Sequence, residues 1–103
     1  MRVYGIKSCD TCRKAVRALE AELHDIRADP LGPEVIARFL DTFGDALVNT
    51  RSTTWRALDA ETRQRDPADL LAAHPTLMKR PVIETPDGTL YLGWGEAVKA
   101  RLL

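Results

Sequence analysis

Two cysteines separated by two residues, Cys9 and Cys12, lie between a segment typical of a strand and one typical of a helix. The segment before them, Arg2–Ile6, is short and largely apolar, which favours a strand. After them, apolar residues recur at three- and four-residue steps, the spacing of one helix face: Ala15, Val16, Leu19 and Leu23. This order constrains the fold most, because it predicts that Cys9 lies at a strand-to-helix turn and Cys12 on the first helical turn.

The rest of the chain predicts an α/β fold with a mixed four-stranded sheet flanked by helices. A β-helix-β unit comes first, several helices form an insertion after it, and a β-hairpin and a last helix close the chain. The further elements predicted are a strand over Leu23–Ala28, a helix from Gly32-Pro33 to Gly44, a polar loop over Asn49–Thr54, a helical turn around Trp55 and Leu58, a helix from Asp66-Pro67 to His74, strands over Val82–Thr85 and Thr89–Leu92, and a helix over Gly95–Leu103.

The size and charge of the chain exclude several classes of function. Its 103 residues predict a single domain spanning residues 1–103. Lys plus Arg and Asp plus Glu number 15 each, so no overall positive field favours direct binding of nucleic acid. No run of 18 apolar residues and no signal-peptide pattern occurs, which predicts a cytoplasmic protein without membrane attachment.

In a reducing compartment two cysteines are expected to serve chemistry or metal binding rather than a permanent disulfide. The N-terminus of a helix stabilises a thiolate, which is the nucleophilic form, so Cys9 is the predicted nucleophile and Cys12 the thiol that resolves its adduct. Two alternatives remain: a pair without function, or half of a zinc site completed by His24 and His74. Neither histidine has the spacing of a zinc finger, and we expect no metal.

Three segments together resemble one known family: Tyr4–Ala15 with its C-x-x-C, Asn49–Arg56 and Lys79–Ile83. They resemble the glutaredoxin-linked arsenate reductase superfamily, which also contains the Spx-type transcription regulators and the small YffB-like reductases. The Asn-Thr-Arg-Ser-Thr-Thr-Trp-Arg segment is closest to the YffB-like branch. The resemblance implies a thioredoxin-like fold with an inserted helical lobe.

By the resemblance, Cys9 is the catalytic cysteine, and Arg51, Arg80 and Thr11 bind an oxyanion. Guanidinium groups suit this role because their fork of donors matches arsenate, phosphate or a carboxylate of glutathione. Pro81 matches a proline whose peptide bond is cis in thioredoxin-like folds. The resemblance also implies that no cofactor is bound and that glutathione, thioredoxin or glutaredoxin supplies the electrons. We further expect a monomer.

The chain departs from the arsenate-reducing members at three positions. Gly5 stands where they have a histidine four residues before the cysteine, Gly93-Trp94-Gly95 lacks their third arginine, and Cys12 is absent from many of them but present in the Spx type. We therefore expect a thiol-dependent reductase acting on an oxyanion or a glutathione-type substrate. The alternatives are an Spx-like redox sensor that binds RNA polymerase, and a fold without redox activity.

Overall fold

The structure is a computed structural model that describes all residues from 1 to 103. All of its strands belong to one mixed sheet. Its strands are β1 (Arg2–Gly5), β2 (Glu22–Asp25), β3 (Val82–Glu84) and β4 (Leu90–Leu92). They lie in the order β2-β1-β3-β4, with β1 parallel to β2, antiparallel to β3, and β3 antiparallel to β4. The predicted mixed four-stranded sheet is confirmed.

The chain divides into two compact units, residues 1–29 with 80–103 and residues 30–79. The first unit contains the whole sheet and two helices, α1 (Asp10–Leu19) and a C-terminal helix over Glu96–Leu102. Val3 and Ile83 face each other across β1 and β3 and are fully buried with Ala15 of α1. Apolar residues from both helices, from β2 and β4 and from the segments next to these two strands surround this centre: Val16, Leu19, Ala21, Leu23, Tyr91, Trp94, Val98 and Leu102.

The first helix ends earlier than the apolar spacing predicts. Glu20 adopts a left-handed conformation with φ of 51°, and Ala21 donates its N–H to the Val16 carbonyl at 3.0 Å, which closes the last turn. Leu23 lies in β2 and pairs with Val3, as the predicted strand over Leu23–Ala28 had it, although that strand ends earlier, at Asp25. Its assignment to the helix face was wrong because a strand residue that packs on the same core repeats the apolar spacing of the helix.

The hairpin at the end of the sheet matches its prediction, with slightly shorter strands. Thr85 donates its N–H to the Thr89 carbonyl at 3.0 Å, and Gly88 supplies the positive φ of 88° that the turn requires. The peptide bond between Arg80 and Pro81 at the start of this region is cis, as the resemblance implied.

The second unit is helical: α2 (Pro33–Phe43), α3 (Thr53–Ala57), α4 (Ala60–Arg63) and α5 (Pro67–Ala73), so that the C-terminal helix is α6. Gly44 ends α2 as predicted, with φ of 60°. Two short 3-10 helices, Gly44–Leu47 and Pro75–Leu77, and the four-residue α4 were not predicted, because segments this short carry no clear periodicity. The buried side chains of this unit are Ile36, Phe39, Leu47, Leu70, Leu71, Leu77 and Met78. None of the helices has the length and apolar character needed to cross a membrane.

Candidate active site

Cys9 lies where β1 gives way to α1, as the sequence predicts. It is the residue that precedes the first helical turn, with an extended backbone of φ −81° and ψ 119°. Its N–H donates to the Ile6 carbonyl and its carbonyl accepts from the Arg13 N–H, both at 3.0 Å, so the turn and the helix start are both fixed. Cys9 is partly exposed, whereas Cys12 is fully buried. A substrate can therefore reach the first sulfur and not the second.

The surroundings of Cys9 favour its thiolate. Partial burial is the largest single cause and raises the pKa of the thiol, whereas the backbone N–H and the thiol of Cys12 lower it. The positive charge of Arg80 and the backbone N–H of Thr11 act in the same direction, and the net effect is a pKa below the ordinary value. The helix start and one arginine of the first unit thus together prepare Cys9 as a nucleophile.

The surroundings of Cys12 favour its neutral thiol instead. Burial is the largest cause that raises the pKa of Cys12, the Ile6 backbone lowers it, and the hydrogen bond and charge of Cys9 raise it, so that the resulting pKa is about 11. Cys12 is therefore a neutral thiol when Cys9 is ionised, and it can donate its proton toward the Cys9 sulfur. Both thiols are free in this structure.

Gly5 leaves the space that the Cys12 side chain occupies. A Cβ placed on Gly5 would overlap the Cys12 Sγ and lie 3.0 Å from the Cys12 Cβ, while the next neighbour, Leu23, would be at an ordinary 3.9 Å. A cysteine at position 12 in this buried orientation thus requires glycine at position 5. This contact gives a physical reason for the departure at Gly5 from the histidine of the arsenate-reducing members.

Replacing Gly5 by Ala is expected to destabilise the protein by about 1–3 kcal/mol, the usual cost of overpacking a buried site. The same replacement in a Cys12→Ala background should cost at least about 0.5 kcal/mol less, because the sulfur it overlaps is gone. Urea unfolding of the four proteins in the double-mutant cycle measures both quantities. An equal cost of Gly5→Ala in the two backgrounds would show that Cys12 is not what excludes a side chain at position 5.

The loop before Cys9 is anchored by Asp25, a residue to which sequence analysis gave no role. Its carboxylate accepts the backbone N–H of Lys7 at 2.9 Å and that of Arg27 at 2.8 Å. The bond from Lys7 is the main reason that the pKa of Asp25 lies below its usual value. The Arg27 guanidinium also donates to the Ser8 hydroxyl at 3.0 Å. An acidic residue at a strand end, before a short turn, was the available signal, since such carboxylates accept nearby backbone N–H groups.

The structure brings together most of the predicted site residues of the first unit. Cys9, Thr11 and Cys12 form the helix start, and Arg80 acts electrostatically on both sulfurs. Pro81 is fully buried and accepts the Gly93 N–H on its carbonyl at 2.8 Å. Thr11 contributes its backbone N–H, and a role of its hydroxyl in binding substrate stays a prediction.

Arg51 belongs to the second unit, in the loop before α3. Its N–H donates to the Asn49 side-chain oxygen at 3.0 Å, and its side chain is exposed. It lines a cleft that also contains Lys79. That Arg51 serves the same substrate as Cys9 stays a prediction.

The histidines of the zinc alternative have other surroundings. The ring of His24 packs on that of Tyr4 with centroids 5.1 Å apart, and its Nε2 donates to the Asp29 carbonyl at 2.8 Å. His74 follows the last residue of α5. No group of three or more His, Cys, Asp or Glu residues is arranged to hold a metal ion, so the zinc interpretation has no ligand set in this structure.

Comparison with known proteins supports the fold and the resemblance. The model of the ArsC family matches residues 4–100. An uncharacterized protein of Haemophilus influenzae is 43% identical over 104 residues, covering 91% of this chain and 90% of that protein. A solved structure of a protein named YffB superposes with a TM-score of 0.86 at 29% identity, covering 99% of this chain and 97% of that one. The global transcriptional regulator Spx of Streptococcus pyogenes is 30% identical over 87 residues, covering 74% of this chain and 65% of the regulator. The predicted thioredoxin-like fold is confirmed.

Proposed function

Because this chain belongs to the ArsC family, we propose that it is a thiol-dependent reductase in which Cys9 attacks a small oxyanion or a glutathione-type disulfide. The observation that carries the proposal is that two neighbouring thiols differ in their burial and in the direction of their pKa shifts. Cys9 is partly exposed with a lowered pKa, and Cys12 is buried with a pKa of about 11. Only the Cys9 sulfur is then available to attack a substrate, and Cys12 stays a neutral thiol until Cys9 has reacted.

With a disulfide substrate, the Cys9 thiolate attacks one sulfur, a Cys9 mixed disulfide forms, and the other half of the substrate leaves as a thiolate. Adduct formation removes the negative charge of Cys9, which is one of the causes that raise the pKa of Cys12. Cys12 then loses its proton more easily and attacks the Cys9 sulfur. The second half of the substrate leaves as a thiolate, and a Cys9–Cys12 disulfide remains.

With an oxyanion substrate, Cys9 bonds to the central atom in place of one oxygen, which leaves as water. Attack of Cys12 on Cys9 then breaks that bond, and the central atom departs with the electron pair, reduced by two electrons. In both cases an external thiol must return two electrons to the Cys9–Cys12 disulfide. Glutathione, glutaredoxin or thioredoxin is the proposed donor, and a cytoplasmic location is part of the proposal because these donors keep thiols reduced there.

The roles of Thr11, Arg51 and Arg80 in holding the anion belong to the same proposal. Support for Arg80 comes from its electrostatic effect on both sulfurs. A guanidinium at that position can offer two parallel donors to a carboxylate or an oxyanion while it stabilises the thiolate. Support for Arg51 comes from the family motif and from its exposed position in a cationic cleft.

A redox-sensing regulator of the Spx type is the second candidate. It is favoured by the similarity to Spx and by a buried Cys12 next to Cys9, which suits a disulfide that changes a protein surface. Its proposed partner is RNA polymerase. Retention of the C-terminal domain of the RNA polymerase α subunit by the oxidised but not the reduced protein would favour this candidate over the enzyme.

Replacing Arg80 by Met is expected to raise the pKa of Cys9, because a positive charge that favours the thiolate is lost. Arg80→Lys should preserve more of the effect, and Arg51→Met should raise the pKa as well if that guanidinium serves the same site. The pH dependence of Cys9 alkylation measures each value. Arg13→Met is the matched control, because Arg13 lies next to the motif but pairs with Asp10 at 3.8 Å. An unchanged pKa in Arg80→Met would remove Arg80 from the site.

A further inference from the structure

The turn that leads into Cys9 lies at the surface, so packing in the core does not fix it. Lys7 and Ser8 are both exposed, between the buried Ile6 and the partly exposed Cys9. The turn is closed by a backbone hydrogen bond from the Cys9 N–H to the Ile6 carbonyl at 3.0 Å. Exposed turns with few buried contacts open readily, so contacts from outside this turn affect where the Cys9 sulfur lies.

A second turn, the one that follows β2, lies beside it at the same edge of the sheet. The strands β1 and β2 are parallel, with Gly5 opposite Asp25, and the Ile26 N–H donates to the Gly5 carbonyl at 2.9 Å. The Asp29 N–H donates to the Asp25 carbonyl at 2.9 Å and closes this second turn. Because Ile26 is buried, the second turn begins from a fixed position.

The carboxylate of Asp25 joins the two turns. One of its oxygens accepts the Lys7 N–H at 2.9 Å, and the other accepts the N–H groups of Arg27 at 2.8 Å and of Ala28 at 3.2 Å. The lowered pKa of Asp25 means that this group is ionised at neutral pH, with both oxygens free to accept. An amide in its place would have a single accepting oxygen and would turn an NH₂ group toward an N–H on the other side.

The Arg27 side chain adds a contact between the same two turns. Its guanidinium donates to the Ser8 hydroxyl at 3.0 Å, and Ser8 directly precedes Cys9. Both residues of the exposed turn, Lys7 and Ser8, are therefore tied to the turn after β2.

We propose that Asp25 is a positioning residue for the nucleophile: its carboxylate, together with Arg27, holds the turn before Cys9 so that the sulfur stays at the N–H groups of the helix start. The N–H groups that favour the thiolate are those of Thr11 and Cys12. Hydrogen bonds weaken steeply as their geometry worsens, so a small displacement of the turn would weaken these bonds. This inference deepens the proposed function and rests on it, since it names what keeps the reacting sulfur in place.

The test compares Asp25→Asn with the native protein in the pH dependence of Cys9 alkylation by iodoacetamide. We expect the pKa of Cys9 to rise and alkylation at pH 7 to slow about 3- to 10-fold, which corresponds to a rise of about 0.5–1 in pKa. Loss of a negative charge alone has the opposite sign, because it favours the thiolate. A rise therefore reports lost positioning rather than lost charge.

Asp29→Asn is the matched control, because it removes the same charge from the same turn. The Asp29 carboxylate lies 3.5 Å from the His24 Nε2. We expect this variant to leave the pKa of Cys9 unchanged or slightly lower. In ¹H-¹⁵N NMR the Lys7 amide should exchange with solvent faster in Asp25→Asn than in Asp29→Asn, because only the first loses the acceptor of that N–H.

Ser8→Ala tests the second contact without a change of charge. It removes the hydroxyl that accepts from Arg27, and we expect a smaller rise of the Cys9 pKa in the same direction. Lys99→Met removes an ammonium that pairs with Glu96 on α6 at 3.6 Å. It is the control for a change of charge elsewhere and should match the native protein.

The inference is overturned if the pKa of Cys9 stays or falls in Asp25→Asn, if Asp29→Asn raises it as much, or, should Asp25→Asn not fold, if Ser8→Ala leaves it unchanged. A raised pKa in Asp25→Asn, found for a chain whose native form turns over no substrate, would refute the proposed function and leave the positioning role standing. An unchanged pKa in Asp25→Asn, found for a chain whose native form reduces its substrate, would do the reverse.

Discussion

Replacing Cys9 by Ser is expected to abolish reductase turnover, with a loss on the order of 10³-fold or more, as is usual when a covalent nucleophile is removed. Replacing Cys12 by Ser should stop the reaction at a different stage. The Cys9 thiolate still attacks, but no second thiol in the chain can release the adduct. The Cys12→Ser protein should therefore accumulate one substrate half per molecule, visible as added mass, and turn over only as fast as external thiols release it.

The assays are reduction of a glutathione mixed disulfide, and of arsenate with glutathione and glutaredoxin, each followed through consumption of reduced cofactor in a coupled system. Gly5→Ala is not a suitable control, because it alters the Cys12 side chain directly. Lys99→Met is suitable and should turn over normally. Full activity of the Cys9→Ser protein, or an adduct found on Cys12 in the native protein, would contradict the assignment of roles.

Iodoacetamide at pH 7 is expected to modify Cys9 at least about a hundredfold faster than Cys12 in the folded protein. With a pKa of about 11, only about one Cys12 in 10⁴ is ionised at that pH, and its side chain is fully buried. Cys9 has a lowered pKa and a partly exposed sulfur. Mass spectrometry of peptides after short labelling times measures the two rates.

The lowered pKa of Cys9 also fixes how its labelling rate depends on pH. Because the pKa of Cys9 is lowered, its labelling rate should rise with pH and level off below the range in which an ordinary thiol, with a pKa of about 8.5, is still gaining thiolate. After unfolding in urea the two cysteines should react at similar rates. Equal rates in the folded protein would show that burial and the helix start do not separate the two thiols.

The path of the chain was predictable wherever local signals and packing agree. The apolar spacing after Cys9, the Gly32-Pro33 start and Gly44 end of α2, and the Pro86-Asp87-Gly88 turn each have a local cause, and each was found in its predicted place. The end of α1 was not, because the left-handed Glu20 has no sequence signal such as glycine.

The site was predictable in its residues but not in its contacts. The C-x-x-C motif indicates which sulfur is exposed, since one precedes the helix and the other lies on its first turn. The overlap that a side chain at Gly5 would make with Cys12 depends on how closely β1 approaches α1, which no single-residue preference encodes. The anchoring of Lys7 by Asp25 and the shared cleft of Arg51 and Lys79 likewise join residues 18 and 28 positions apart.

The ionisation of Cys9 is the physical property on which the account depends, and ¹³C NMR of the native protein labelled at cysteine Cβ measures it directly. Titration from pH 4 to 11 should give a Cys9 transition with its midpoint below about 8.5, the value of an unperturbed thiol. The Cys12 signal should not begin to move until the solution is strongly alkaline. A Cys9 midpoint at or above that of an unperturbed thiol, or a common transition of both signals near it, would contradict the account.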